Sequence, residues 1–321
     1  MKWRVLATPR TFGAADERAA QILQEAGCQL IRNPYGRLLT EDEMVTLIPE
    51  MDGIIIGLDP LNERVLEKGV RLKVISKYGV GLDNIDVAAA TARRIPVAFT
   101  PGTNSAAVAE LAFGLMLDAA RHISASDRQI RQGLWGRFSG TQLWGKTLGL
   151  VGTGQIGQQL ALRARGFEMP LLCHDARPDY DWAQRMGASY VDLPDLLRRS
   201  DFVSLHIPLS EATCHLIGGA ELGMMKPGAI IINTSRGGII DEEALHEALS
   251  QKRLGAAGLD VVECDPPQDT PLARLDNVVL TSHIGAHTVE ASSAMSNLAA
   301  ENVVAALQGG RPKHIANKEI Y

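Results

Sequence analysis

Arg236, Asp265 and His283 are residue types that together could move a hydride and a proton at a carbon bearing a hydroxyl. Histidine is the side chain whose ordinary pKa suits accepting a hydroxyl proton near neutral pH. A carboxylate beside it would fix the ring tautomer and raise its pKa. The planar fork of an arginine would grip a substrate carboxylate and orient the reacting carbon. Each candidate follows an apolar run, within Asn233-Thr234-Ser235-Arg236-Gly237-Gly238, Leu259-Asp260-Val261-Val262-Glu263-Cys264-Asp265-Pro266-Pro267 and Thr281-Ser282-His283-Ile284-Gly285-Ala286-His287. Singly, they also read as a surface ion-pair partner, a turn residue before two prolines and a hydrogen-bonded strand end. Spacing leaves His206, His215 and His287 open as competing histidines and Glu263 as a second acidic neighbour; His206, before Pro208, reads as a cofactor-side or structural position.

The strongest local signal is Leu148-Gly149-Leu150-Val151 running into Gly152-Thr153-Gly154-Gln155-Ile156-Gly157 and then a helical pattern to about Arg165. In such a GxGxxG turn the first glycine allows the tight bend, the second lets backbone approach a pyrophosphate, and the third lets helix pack on strand. The helix amino terminus offers its unpaired N–H groups to the anion. Asp175, eighteen residues beyond Gly157, ends the next apolar run. A carboxylate there accepts from a ribose 2′-hydroxyl and repels a 2′-phosphate, so the expected cofactor is NAD rather than NADP; Arg177 works against that preference. About 145 residues precede the motif, so a substrate lobe must come largely from the amino-terminal part. That order disfavours the L-lactate dehydrogenase layout, in which the fingerprint comes first.

The elements that must position these groups read as short β-branched runs alternating with helical patterns, the mark of parallel βαβ units. One series comprises 4–8, 29–32, 53–58, 72–76 and 96–100, with a helix over 16–26. The second comprises 147–151, 170–174, 202–206, 229–233, 256–261 and 278–282, six strands suggesting a doubly wound sheet. A helical pattern over 104–121 connects the series, and another over 289–307 stops at Gly309-Gly310 and is expected to return the chain to the first lobe. The fold class expected is therefore α/β, a doubly wound parallel (Rossmann) domain over 101–289 with a second, smaller substrate-binding domain from 1–100 and 290–321. Three hundred and twenty-one residues suit two such lobes.

Composition removes other classes. A net charge of −5 without long blocks of either sign offers no field for nucleic acid or an anionic membrane. Cys28, Cys173, Cys214 and Cys264 form no CxxC pair, so neither a zinc cluster nor a disulfide framework is expected, and all four read as reduced, buried thiols. The apolar opening stops at Pro9, too short for a signal-peptide core, and the run 106–117 is too short to span a bilayer and contains Glu110. The expected location is the cytoplasm. A short-chain dehydrogenase is disfavoured because none of the five tyrosines has a lysine four positions on.

The chain resembles the D-2-hydroxyacid dehydrogenase family, and within it the D-3-phosphoglycerate dehydrogenase branch, over most of its length. The motifs that carry the resemblance are Lys77-Tyr78-Gly79-Val80-Gly81-Leu82-Asp83-Asn84-Ile85-Asp86, Thr100-Pro101-Gly102-Thr103-Asn104-Ser105 through Ala109-Glu110, the glycine turn, Asn-Thr-Ser-Arg-Gly and Ser-His-Ile-Gly. The resemblance implies a flavodoxin-like second domain and reversible hydride transfer between a D-2-hydroxy acid and NAD, at CH–OH donors. Phosphoglycerate is the first substrate expected and glyoxylate or hydroxypyruvate the second. It implies Arg236 as the substrate-binding arginine, His283 as acid/base and Asp265 as the paired carboxylate, where the family usually has glutamate. Lys77, Val80, Gly81 and Asn104 would touch substrate. Motif and resemblance together give a cofactor set of Gly152, Gly154, Gln155, Ile156, Gly157, Asp175, His206, Pro208, Thr213, Thr234, Ser235, Asp260 and Gly285, with no metal. A homodimer is implied through the helix and arm over 104–145, with Leu134-Trp135 and Leu143-Trp144 as buried interface residues. Gly57 stands where phosphoglycerate dehydrogenases commonly carry a phosphate-binding arginine, leaving Lys77 as the available cation. The regulatory domain of longer relatives is not expected. The competing reading of another class is an NAD-sensing, corepressor-like binding protein.

Overall fold

The computed structural model describes residues 2–264 and 269–321, so Asp265 lies outside the described residues. The chain folds into two compact units, Met1–Asn104 with Ala286–Tyr321, and Ser105–Gly285.

Among the described residues, the first unit contains β1 (Trp3–Ala7), β2 (Cys28–Arg32), β3 (Gly53–Ile56), β4 (Val74–Lys77) and β5 (Val97–Ala98). They form one parallel sheet of order β2-β1-β3-β4-β5, the flavodoxin-like winding. β3 and β4 are buried at every residue, as strands covered on both faces must be. α1 (Arg18–Glu25) buries Ala19 and Leu23 on the face formed by Val5, Ala7, Ile55 and Val74. On the other face lie α2 (Glu41–Leu47), α3 (Glu63–Lys68) and α4 (Val87–Ala92), burying Met44, Val65, Leu66 and Ala90 against Leu6, Ile54, Ile56 and Ile75. Thr40, Asn62 and Asp86 cap these three helices by accepting from a first-turn amide, which is why each starts where it does.

The second unit contains α5 (Ser105–Arg121), α6 (Ile123–Arg131), β6 (Leu148–Val151), α7 (Gln155–Ala164), β7 (Leu171–His174), α8 (Tyr180–Met186) and β8 (Ala188–Tyr190). These are followed by α9 (Leu193–Arg199), β9 (Phe202–Leu205), α10 (Gly219–Met224), β10 (Ile230–Asn233), α11 (Glu242–Ser250), β11 (Ala256–Leu259) and β12 (Val278–Leu280). Among the described residues the sheet is parallel, in the order β12-β11-β10-β9-β6-β7-β8. α5, α7 and α8 bury Leu115, Leu160, Ala161 and Trp182 on one face, and α9, α10 and α11 bury Leu196, Leu222 and Leu245 on the other. The winding reverses between β6 and β9, and ligands of such sheets bind at the carboxyl ends beside that reversal. After β12 the chain enters α12 (Val289–Leu307), whose Ala299, Ala300 and Val303 cover the first unit's sheet on the α1 face.

Three findings depart from the sequence expectation. β8 is a seventh strand, three residues long, only half-buried at the sheet edge and without a β-branched run, and α6 has no buried residue, its Ile123 and Ile130 being exposed. Only Cys28 and Cys173 are buried, whereas Cys214 and Cys264 are exposed on the loops after β9 and β11. Leu143 belongs to the second unit's own core, while Leu134, Trp135 and Trp144 are exposed in the single chain. No described helix is long and apolar enough to cross a membrane.

Candidate active site

The glycine turn is dictated by backbone proximity. Gly152 has φ +96°, and a Cβ there would lie 2.4 Å from the His206 carbonyl oxygen. A Cβ on Gly157 would lie 2.2 Å from the carbonyl oxygen of Gly152, so only glycine lets α7 start against the turn. Gly154 is different: it is the N-cap of α7, and a Cβ there meets nothing within 4 Å. That open space at a helix amino terminus is what a pyrophosphate needs. Gln155 and Ile156 are the first and second residues of α7, and the Gln155 Oε1 accepts from Ser105 Oγ at 3.3 Å.

Asp175 follows β7, where its Oδ2 accepts from the Thr153 amide (2.6 Å) and Thr153 Oγ1 (3.1 Å) and its Oδ1 from the Arg177 amide (2.8 Å). Burial opposes its ionisation, but these donors outweigh it and hold the carboxyl below its usual pKa. The neighbouring Cys173 thiol is pushed up to about 12, chiefly by burial and secondarily by Asp175.

His206 and Pro208 follow β9, and Thr213 closes the next turn by donating to the Pro208 carbonyl at 2.7 Å. The His206 Nε2 lies 2.9 Å from Ser204 Oγ, and burial pushes the imidazole down to about 4. The folded protein therefore keeps the ring neutral. Stability from this group is complete above the ordinary value of 6.5 and is lost as pH falls toward about 4, a loss of up to roughly 3 kcal/mol. Denaturant unfolding at neutrality and at about pH 4.5 should show a smaller acid loss in His206→Asn than in the parent; equal losses would remove His206 from the acid response.

The carboxyl ends of three adjacent strands carry the remaining groups. At the end of β10, the Asn233 Oδ1 accepts from the Ser235 amide (3.0 Å) and hydroxyl (2.7 Å), while its Nδ2 donates to the Arg236 carbonyl at 2.8 Å. This closed turn positions Arg236, whose Nη1 also donates to the Ser235 carbonyl at 2.7 Å. After β11 comes Asp260, 2% exposed, whose carboxylate accepts from Thr281 Oγ1 (2.6 Å) and the amides of Ile284 and Gly285 (both 2.8 Å). Its carbonyl accepts from the His283 amide at 3.0 Å, and His283 sits at φ +53°, a left-handed conformation rare for a non-glycine residue. Asp260 is thus the post on which the His283 loop is strung. Glu263, the other acidic neighbour read from the sequence, is placed on His215, with Oε1 2.9 Å from Nε2.

In the first unit Lys77 ends β4, nearly buried, and its Nζ donates to the Asn84 Oδ1 at 2.6 Å and to the Gly57 carbonyl. Val80 and Gly81 follow Gly79, whose amide donates to Thr100 Oγ1 at 2.9 Å. Asn104 is buried, and its Oδ1 has no partner among the described residues. Asn233, Thr100 and Thr153 were missed as positioning residues. Only Asn233 had a readable signal, the Asn-x-Ser spacing of an Asx turn.

A cofactor fits the second unit. Besides the space over Gly154, the buried Thr234 Oγ1 and His206 Nδ1 have no partner among the described residues, although buried polar atoms are normally satisfied. The described residues contain no cluster of three metal-ligating side chains. Fold and glycine turn define a dinucleotide-binding unit of the doubly wound class. Residues 113–285 match the family described as D-isomer specific 2-hydroxyacid dehydrogenase, NAD binding domain. The chain is 43% identical over 305 residues to the D-3-phosphoglycerate dehydrogenase of Methanocaldococcus jannaschii, covering 94% of this chain but 57% of that relative. It is 41% identical over 315 residues to the glyoxylate reductase of Thermococcus litoralis, covering 93% of this chain and 95% of the relative. A solved Thermus thermophilus protein superposes with a TM-score of 0.89 at 37% identity, over 98% of this chain and 99% of that one. The chain belongs to the NAD-dependent D-2-hydroxyacid dehydrogenase family.

Proposed function

We propose that this chain interconverts a small D-2-hydroxy acid and its 2-oxo acid, with Arg236 binding the substrate carboxylate, His283 exchanging the hydroxyl proton and Asp265 pairing with His283. The supporting observation is that Arg236, the segment leading to Asp265, and His283 follow the adjacent strands β10, β11 and β12 at their carboxyl ends, the edge on which β6 carries the glycine turn. NAD, when bound, would supply the hydride acceptor for oxidation at C2 and, in its reduced form, the donor for the reverse. During oxidation the His283 ring takes the proton from the C2 hydroxyl as the carbonyl forms; during reduction the protonated ring gives it back. Arg236 orients C2 through a charge-assisted, two-point hold on the carboxylate. On this reading the unit around β1–β5 is the substrate domain, with Lys77, the amides of Val80 and Gly81, and Asn104 touching the acid. The NAD domain carries the dimer helix and arm.

Two substrate readings remain, each with its own support. Lys77 and the likeness to a phosphoglycerate dehydrogenase favour 3-phosphoglycerate. Against it, a Cβ on Gly57 would lie 3.3 Å from Pro9 Cγ and 3.5 Å from a carboxylate oxygen of the buried Asp59. A crowded, acid-flanked position suits an unphosphorylated acid such as glyoxylate or hydroxypyruvate. Steady-state assays with both cofactors and a panel of 3-phosphoglycerate, glycerate, D-lactate, glyoxylate and hydroxypyruvate decide. NAD-linked turnover of at least one D-acid is expected, and tight NADH binding without turnover of any would instead indicate a cofactor-sensing protein. We place the enzyme in the cytoplasm as a homodimer; the buried thiols of Cys28 and Cys173 fit a reducing compartment, and exposed Leu134, Trp135 and Trp144 fit a partner surface.

A further inference from the structure

Tyr190 ends β8, and its hydroxyl lies 2.6 Å from Thr153 Oγ1, while the Asp179 amide donates to Tyr190 Oη at 3.1 Å. Thr153 Oγ1 in turn lies 3.1 Å from Asp175 Oδ2. An ionised carboxylate only accepts, which sets the direction of every hydroxyl in the series. The Thr153 hydroxyl must donate to Asp175, so its oxygen accepts from the Tyr190 hydroxyl, whose oxygen accepts from the Asp179 amide. Hydrogen bonds in such a chain polarise one another. The relay also joins both ends of the 175–179 loop, because Asp179 caps α8 through the Trp182 amide at 2.9 Å while Asp175 caps the Thr153 amide.

We propose that Tyr190 is a positioning residue for cofactor choice: through Thr153 it locks the Asp175 carboxylate against the glycine turn, so that the carboxylate cannot swing aside to admit a 2′-phosphate. The inference rests on the reading of Asp175 as the ribose partner. A mobile Asp175 could turn away and relieve repulsion of the phosphate, whereas one held by three donors cannot. The hydrogen bonds of Tyr190 run to Thr153 Oγ1 and from the Asp179 amide, on the side of the turn that carries Asp175, so its effect should fall on discrimination between the two dinucleotides.

The test is equilibrium binding of NADH and NADPH to the apoprotein, followed by nucleotide fluorescence, for the parent, Tyr190→Phe, Thr153→Val, their double variant and Asp175→Ala. Tyr190→Phe should weaken NADH binding about three- to tenfold, the range of one net hydrogen bond, and leave NADPH equal or tighter, so the ratio of the two dissociation constants falls. Thr153→Val should reproduce the change, and the double variant should add little to either, since both break one relay. A parental ratio in Tyr190→Phe, with the ratio collapsed in Asp175→Ala, overturns the role of Tyr190 and leaves that of Asp175 intact. A parental ratio in Asp175→Ala overturns the assignment of Asp175, and the proposal falls with it.

Discussion

Replacing His283 with alanine should lower kcat by about 10²–10⁴-fold, the contribution of a positioned general acid/base, while NADH binding stays within about twofold. The loss follows from position as much as from type. His283 stands in a left-handed backbone conformation, held by its amide on the Asp260 carbonyl and by the Asp260 carboxylate gripping residues on both sides. Strain of this kind persists where the surroundings over-determine it and clusters at functional sites. Asp265→Asn offers a graded version: on the proposed pairing it removes the carboxylate that orients the ring, and it should lower kcat by a smaller factor than His283→Ala. Near-parental turnover in His283→Ala would remove this histidine from the chemistry.

Arg236→Gln should lower kcat/KM for the hydroxy acid by about 10²–10³-fold, the cost of leaving a substrate carboxylate without its charged partner. Arg236→Lys should recover only part of this, because an ammonium keeps the charge but cannot present two parallel donors. Both kcat and KM should suffer, since the fork orients C2 as well as binding the acid. The turn that carries Arg236 is closed by Asn233 rather than by the guanidinium alone. Far-ultraviolet circular dichroism and the NADH dissociation constant should therefore stay parental. An unchanged KM for every acid tested would show that the carboxylate is bound elsewhere.

Much of the fold was legible because its strands are short, almost wholly apolar runs separated by helical periods. α12 spans the 289–307 range that its period and terminal glycines suggest. β8 was not legible: Ala-Ser-Tyr at a sheet edge buries little and carries no β-branched run. The glycine turn was readable because its constraint is local, one backbone atom against another. Asp260 could be marked as an acid at a strand end, but its donors lie at Thr281, Ile284 and Gly285, which only folding brings to it. Tyr190 was invisible for the same reason, since its partner Thr153 stands 37 positions earlier. Side chains that act by holding other side chains leave little trace in local pattern.

The return of α12 to the first sheet has a consequence for biosynthesis. Val5, Ile55 and Val74 leave the ribosome early, yet the helix that shields them begins at Val289, beyond the entire second unit and 215 residues after Val74. At about 5–20 residues per second this interval is on the order of 10–40 s. Throughout it the nascent chain exposes an unfinished oily face, the kind of surface that chaperones hold.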